Sequence, residues 1–432
     1  MTTTISTESR DLPSVHASIS PVDVLLDVRR TLYQLAAELL RPEASSSPLQ
    51  WSILDSPSFR GRLGKVLATG DATLCDEVVP LDAVVVEKGW LRLGPKPIPV
   101  VSRHDANPLL SDAVGSVGVE LTRQTTNGGP LRLLTEADGE RFTAALELIV
   151  RGIVLARSVS PALVDDLLAH VGLLGIVDPE STDKLASASS RTYPGLVLLS
   201  PPGSAVEAAE WLVHEAAHQK LFDLAITGSM LTAESDTCAP FGPSWPPAGR
   251  QWPLEQTLAA AHAYACMAQF ADDAGGVAAF GTLESRSLLP VARERAAVIC
   301  DWLLERGEYL GADAHTLVAG MHGRRPATAP VKHRPARRVR QATAGCTVEP
   351  GLIVRRCARG DRVLVGRRSR PPELFVVTEE VGSLLELLAS LSHDEAIRAY
   401  AQRYVTTASK AAERVATLVA NMADLGLIRY SR

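Results

Sequence analysis

Apolar residues recur at helical spacing through most of this chain and give way to short continuous or alternating runs in only a few places. Met1 to Pro21 is polar, lacks either period and is expected to be disordered. Val22 to Leu40 carries apolar residues three and four apart, which predicts an amphipathic helix. Val78 to Val101 is irregular, and its runs Ala83–Val86 and Trp90–Leu93 predict a short hairpin or helix–loop pieces. Thr135 to Ala156 and Ser160 to Gly172 read as helices, and Gly195 to Ser200 as a strand or extended segment leading into another helix around Trp211 to Leu224. Pro253 suits the first turn of an Ala-rich helix that continues to Phe270. Pro290 marks the start of a helix over Val291 to Tyr309, which Gly311 ends. No internal repeat is evident.

From His322 the pattern changes. Residues 323–343 hold Arg324, Arg325, Lys332, Arg334, Arg337, Arg338 and Arg340 among Pro and Ala, with no acidic residue, and read as a basic linker. A small unit follows over 344–432. Gly351–Cys357 and Arg362–Gly366 flank Ala358-Arg-Gly-Asp361, a hairpin signal, and Glu373–Val377 predicts a third strand. Thr378 is placed as an N-cap, with Leu384, Leu385 and Leu388 on one helix face. Ser392-His-Asp-Glu395 forms a capping box for a second helix to about Tyr404. Ser409 to Asp424 gives a third helix and Gly426 to Tyr430 a closing strand. The expected fold class is therefore mainly α, a helical domain over residues 22–322 joined to a small α+β, winged-helix-like domain.

The chemistry is concentrated in Trp211-Leu-Val-His214-Glu215-Ala-Ala-His218-Gln-Lys-Leu-Phe. Histidines four apart on a helix lie on one face, within reach of one metal ion. Apolar Leu212, Val213, Leu221, Phe222 and Leu224 flank them, so the helix is expected to be buried, where two imidazoles and a carboxylate need partners. The motif leaves the metal open. With zinc, Glu215 would be a general base activating bound water. With iron, two histidines and a third ligand leave positions for a co-substrate and dioxygen. The longer zinc-peptidase signature needs Gly and His where this chain has Leu221 and Leu224, which excludes that class. Glu234 and Glu255 are the acidic candidates for a third ligand. His262, the lone imidazole of the Ala-rich helix, is the stronger one, against the plainer reading of a core histidine bonded to a backbone carbonyl.

Composition narrows the field only a little. The 432 residues are 46% hydrophobic and 5% aromatic, enough apolar material for a sizeable helical core, and a net charge of −5 names no partner. Six cysteines, Cys75, Cys238, Cys266, Cys300, Cys346 and Cys357, are scattered without a C-x-x-C pair, which predicts free thiols in a reducing cytoplasm. No secretory signal and no bilayer-length apolar run is visible.

Taken together, Pro194–Pro201, Leu212–Leu221, Pro240-Phe-Gly-Pro and Leu258–Ala268 resemble the H-E-x-x-H proteins of ribosomal-peptide gene clusters, over roughly Leu134 to Met321. That family is described as iron(II)- and 2-oxoglutarate-dependent peptide β-hydroxylases. The resemblance implies iron ligation by His214, His218 and His262, with dioxygen and 2-oxoglutarate as co-substrates and zinc as the alternative metal. Glu215 would then act beside the metal ligands, orienting a histidine or contacting bound water. A cation should meet the distal carboxylate of 2-oxoglutarate, with Arg250 as first candidate and Arg293 and Arg295 after it. The loop from Ala239 to Pro253 departs from the family's compact element, and its arginine is displaced.

The C-terminal pattern is similar to the RiPP recognition element, a leader-peptide-binding winged helix. This implies a precursor-peptide partner whose leader adds a strand near Glu373–Val377, beside the helix after Ser409. Arg355, Arg356 and Arg362 would favour an acidic leader. A DNA-binding regulator is the rival for this domain. The mixed charges Asp394, Glu395, Arg398 and Arg403 on its middle helix make a poor groove reader.

Overall fold

In the computed structural model the chain crosses between two compact units, one of residues 1–22 and 86–329 and one of 23–85 and 330–432. The structure describes residues 21–40, 48–70, 90–91, 98–102, 114–115, 131–181, 185–245, 249–275, 277–280, 287–322, 346–359, 362–369 and 371–430. The expected tail 1–21 but for Pro21, the run Ala83–Val86, Cys75 and the basic linker fall outside these residues. Helices α1 (Val22–Leu40) and α2 (Pro57–Thr69), joined through a single turn at Trp51–Leu54, belong with the C-terminal unit. The sequence reading had given this segment to the helical domain. The amphipathic period of α1 predicts an apolar face but not which surface covers it.

Among the described residues, the larger unit pairs a small sheet with six helices. Strand β1 (Leu133–Leu134) runs antiparallel to β2 (Leu173–Val177). Strand β4 (Leu196–Leu199) is parallel to β2 and antiparallel to β3 (Ser187–Ser189), giving the order β1-β2-β4-β3. Every residue of β2 and β4 is buried. Such strands read as continuous apolar runs without alternation, and the sequence reading, which ended its helix at Gly172, assigned no element to Leu173–Val177. The two helices expected over Thr135–Ala156 and Ser160–Gly172 are α3 (Glu140–Val159) and α4 (Pro161–Leu168). Thr135 caps a short 3₁₀ turn with Asp138 before α3 begins. Trp90–Leu91 pairs with Ile98–Pro99, a different partner from the hairpin expected there.

Helix α5 (Ala205–Thr227) carries the histidine motif. It starts at Ser204, whose side chain accepts from the Glu207 amide. It packs against α3, α4, strands β3 and β4, and α6 (Leu254–Ala274). Apolar residues occupy all sides of α5, as expected of a helix enclosed by neighbours. Helices α7 (Leu289–Leu304) and α8 (Ala312–Met321) complete the unit.

The second unit contains β5 (Cys346–Val348), β6 (Leu352–Arg356), β7 (Arg362–Arg367), β8 (Glu373–Thr378), α9 (Glu379–Ser390), α10 (His393–Arg403), α11 (Ala408–Asp424) and β9 (Ile428–Tyr430). Strands β8-β7-β6 form an antiparallel sheet, and β9 pairs with β5. The capping residues Thr378 and Ser392 stand where the sequence put them. The faces of β7 alternate: Val363 and Val365 join the core under α9 to α11, while Gly366 faces α1. A Cβ on Gly366 would lie 2.8 Å from Leu39 and 3.1 Å from Leu35. Arg355 Nη2 on Glu38 at 2.8 Å and the Arg359 amide on Asp27 at 2.8 Å tie the same helix down. The molecule is thus mainly α with a small α+β part.

Candidate metal centre

Helical geometry brings His214 and His218 together, as their spacing requires. Their Nε2 atoms are 3.2 Å apart and their rings meet edge to face, centroids 4.7 Å apart. The His214 Nδ1 lies 3.2 Å from the Met267 sulfur on α6. A thioether only accepts, so Nδ1 carries the proton and the Nε2 lone pair points at His218. Two ring nitrogens at this distance share either a proton or a cation. Metal–nitrogen bonds of about 2.1 Å at 90–110° put two donors about 3.0–3.4 Å apart, so the pair fits two adjacent positions on a first-row divalent metal. Both residues are half-buried by surface area, yet protein surrounds the His218 ring closely. Burial first, then the imidazoles of His214 and His262, hold its pKa well below the usual histidine range. A neutral ring is the ligand form.

His262 occupies a different place. It is buried, and its Nδ1 lies 2.9 Å from the Ala217 carbonyl on α5, one residue before His218. A carbonyl accepts, so this Nδ1 is protonated and Nε2 carries the lone pair, the tautomer a ligand needs. That nitrogen lies 3.8 Å from Cys266 Sγ. Burial and the Lys220 ammonium push the His262 pKa down to about 3, against the raising effect of the Ala217 carbonyl. Among the described residues, no group of three His, Cys, Asp or Glu side chains stands in a metal-holding arrangement. The donors present thus fit two positions of a metal, with His262 one helical contact away.

The other candidates are distributed around this pair. Glu215 is buried and accepts a hydrogen bond from Ser187 Oγ on β3 at 2.7 Å, so it fastens the motif helix to the sheet. Glu255 is bound by Arg191 at the surface, and Glu234 is exposed beside a 3₁₀ turn. Arg250 is exposed on its loop. Arg293 pairs with Asp272, both more than half exposed. Arg295 is the cation best placed: its Nη1 donates to the Tyr264 hydroxyl at 2.9 Å, and its guanidinium lies 5.0 Å from the Trp245 ring and 5.5 Å from Tyr264. Tyr264 in turn is 6.4 Å from His214.

Sequence reasoning missed the wall behind that arginine. Phe241, Trp245, Trp252, Trp302 and Tyr264 form one connected aromatic cluster, with neighbouring centroids 5.4–6.3 Å apart. The signal was available, since three of six tryptophans in an aromatic-poor chain lie between residues 245 and 302. Glu210 was missed as well. It lies one turn before His214 and accepts from Ser287 Oγ and the Leu288 amide, both at 2.6 Å, satisfying the start of α7. Burial raises its carboxyl pKa in spite of those two bonds.

The far side of α5 is anchored just as firmly. Lys220 meets Asp166 at 2.5 Å, His170 meets Asp223 at 2.7 Å, and Gln219 bonds the Leu196 carbonyl at 3.0 Å and the Gly195 amide at 2.5 Å. These buried polar contacts fix the rotation of the helix and therefore the direction of its histidines.

In the second unit, β8 is the outer strand of its sheet, and Phe375 packs partly buried against the core with Arg367 5.8 Å above its ring. Arg355 is paired with Glu38, and Arg356 with Glu379 and Glu386. Their charge is therefore largely answered within the unit. Among the described residues no helix is long and apolar enough to cross a membrane. No protein-family model matches this chain, and no curated protein matches it by sequence.

Proposed function

We infer that this chain is an iron(II)- and 2-oxoglutarate-dependent dioxygenase that hydroxylates the β-carbon of a residue in a ribosomally made precursor peptide, whose leader the C-terminal unit binds. The observation that carries this reading is the His214–His218 pair, with converging Nε2 atoms and the His214 tautomer set by Met267. The choice of iron and 2-oxoglutarate rests on the sequence resemblance. Bound iron would supply dioxygen activation, with 2-oxoglutarate as the two-electron reductant, lost as succinate and carbon dioxide.

The remaining work falls to the chain's own groups. His214 and His218 would hold the metal, with His262 as the third ligand. Arg295 receives the distal carboxylate of 2-oxoglutarate, and Tyr264 orients it. The aromatic wall around Trp245 keeps water from that corner. Glu215 keeps α5 in register with β3 through Ser187.

The test is direct. Protein purified without oxygen and loaded with iron(II) is incubated with a precursor peptide from its gene cluster, 2-oxoglutarate and air. The expected product is the peptide plus one oxygen atom, lost when any of the three co-reactants is omitted. Cleavage of the peptide with zinc and no 2-oxoglutarate would establish a hydrolase instead. For the C-terminal unit, tight duplex-DNA binding without leader binding would identify a regulator.

A further inference from the structure

A cavity of about 350 Å³ opens between the second half of α5 and the start of α6. Leu221, Phe222, Met230 and Leu258 form its apolar lining, and Arg191 and Glu255, which pair with each other, stand among its polar residues. It adjoins the histidine pair through one side chain. The Phe222 ring lies nearly parallel to His218, centroids 6.3 Å apart and planes 17° from parallel, and also lines the cavity.

The cavity's outer wall is built to stay open. Segment 228–232 is tied to the start of α8 by the Gly311 amide on Met230 O at 2.9 Å, the Asp313 amide on Ser229 O at 3.0 Å, and the Ser229 amide on Asp313 Oδ2 at 2.7 Å. The Thr232 amide adds a bond to Tyr309 O at 3.0 Å. The approach at Gly311 is so close that a Cβ would lie 2.3 Å from the Ser229 carbonyl oxygen. A wall held this way cannot relax inward to fill the space.

We propose that this cavity receives a bulky apolar side chain of the substrate peptide, close in sequence to the residue that reacts at the histidine pair. This rests on the function proposed above. The volume suits one large side chain with its flanking backbone, an apolar floor supplies the affinity, and the polar residues can answer the peptide amides. Continuity through Phe222 sets the occupant beside the reaction centre.

The binding step can be read without iron, 2-oxoglutarate or turnover. Methyl-labelled methionine places Met230 in the cavity, Met267 beside His214 and Met422 in the other unit. Titrating the full chain with N-acetyl-phenylalaninamide should shift the Met230 methyl saturably, at concentrations on the order of millimolar. N-acetyl-aspartamide should not, and Met422 should stay still. Ala225→Trp, at an exposed position on the cavity wall, should abolish the shift while leaving the Met422 signal unchanged. An absent Met230 shift, an equal response to the polar amide, or a shift that survives Ala225→Trp would overturn the proposal. With the peptide as substrate, Ala225→Trp should raise KM about tenfold or more and change kcat less than twofold. A kcat loss without a KM change would also count against it. If the methyl titration succeeds but the wild type never hydroxylates, the reading of the function fails and the binding of apolar side chains stands.

Discussion

The three histidines proposed as ligands differ in the partners their ring nitrogens meet, and that sets how each should respond to substitution. His214 and His218 converge, so replacing either with alanine should weaken cobalt(II) binding about a hundredfold or more, read by titration calorimetry of the metal-free protein. A His214→Ala variant that holds cobalt as tightly as the parent would remove this pair as a metal site. Ionisable residues outside the centre make their own prediction. The Arg414 hydrogen bonds, aided by the Tyr400 hydroxyl, hold the Glu380 carboxyl below its ordinary range in spite of its burial. Its folded pKa is the lower one, so the contribution is present above about pH 4.5 and is lost as pH falls through the folded value. Because Arg414 is half exposed, the contribution is on the order of 1 kcal/mol after screening. Glu380→Gln should therefore destabilise α9 to α11 at pH 7 and cost progressively less as the pH falls below about 4.5, measured by hydrogen exchange. At this scale the sequence told much about His214 and His218, because a four-residue helical spacing is itself geometry. It told little about His262, whose ring direction depends on the Ala217 carbonyl of another helix.

Helix α5 owes its position to close backbone approach as much as to polar anchors. Against α3, a Cβ on Gly152 would meet the Ala208 Cβ at 2.6 Å and the Ala205 carbonyl at 3.0 Å. Gly152→Val should push the two helices apart, destabilise the larger unit by about 1–3 kcal/mol, and loosen cobalt binding with it. Chemical denaturation and the cobalt titration together check this, and unchanged stability would show that α3 gives way freely. Elements with a clear period or a capping residue were legible, such as α9 behind Thr378 and α10 behind Ser392. Strand β2 was not, since Leu-Leu-Gly-Ile-Val buried on both faces has no alternation to separate it from the end of a helix.

At the scale of the whole molecule, the smaller unit is discontinuous in sequence: α1 seals the β7 face at Gly366, and residues 86–329 fold into the other unit in between. Nothing local in Val22 to Leu40 names that distant surface, which is why periodicity alone assigned the helix to its chain neighbours. Deleting residues 1–70 should leave the larger unit intact and sharply raise amide exchange in β6 to β8. Protection equal to the full chain would show that the sheet needs no cover. The arrangement also has a consequence in time. The ribosome delivers α1 roughly 300 residues before β7, on the order of tens of seconds at typical translation rates. Throughout that interval the apolar stripe of α1 lacks its β7 partner, while the other unit is being made. A nascent chain built in this order is exposed to wrong contacts along α1, and the smaller unit closes only when two segments made far apart in time have met.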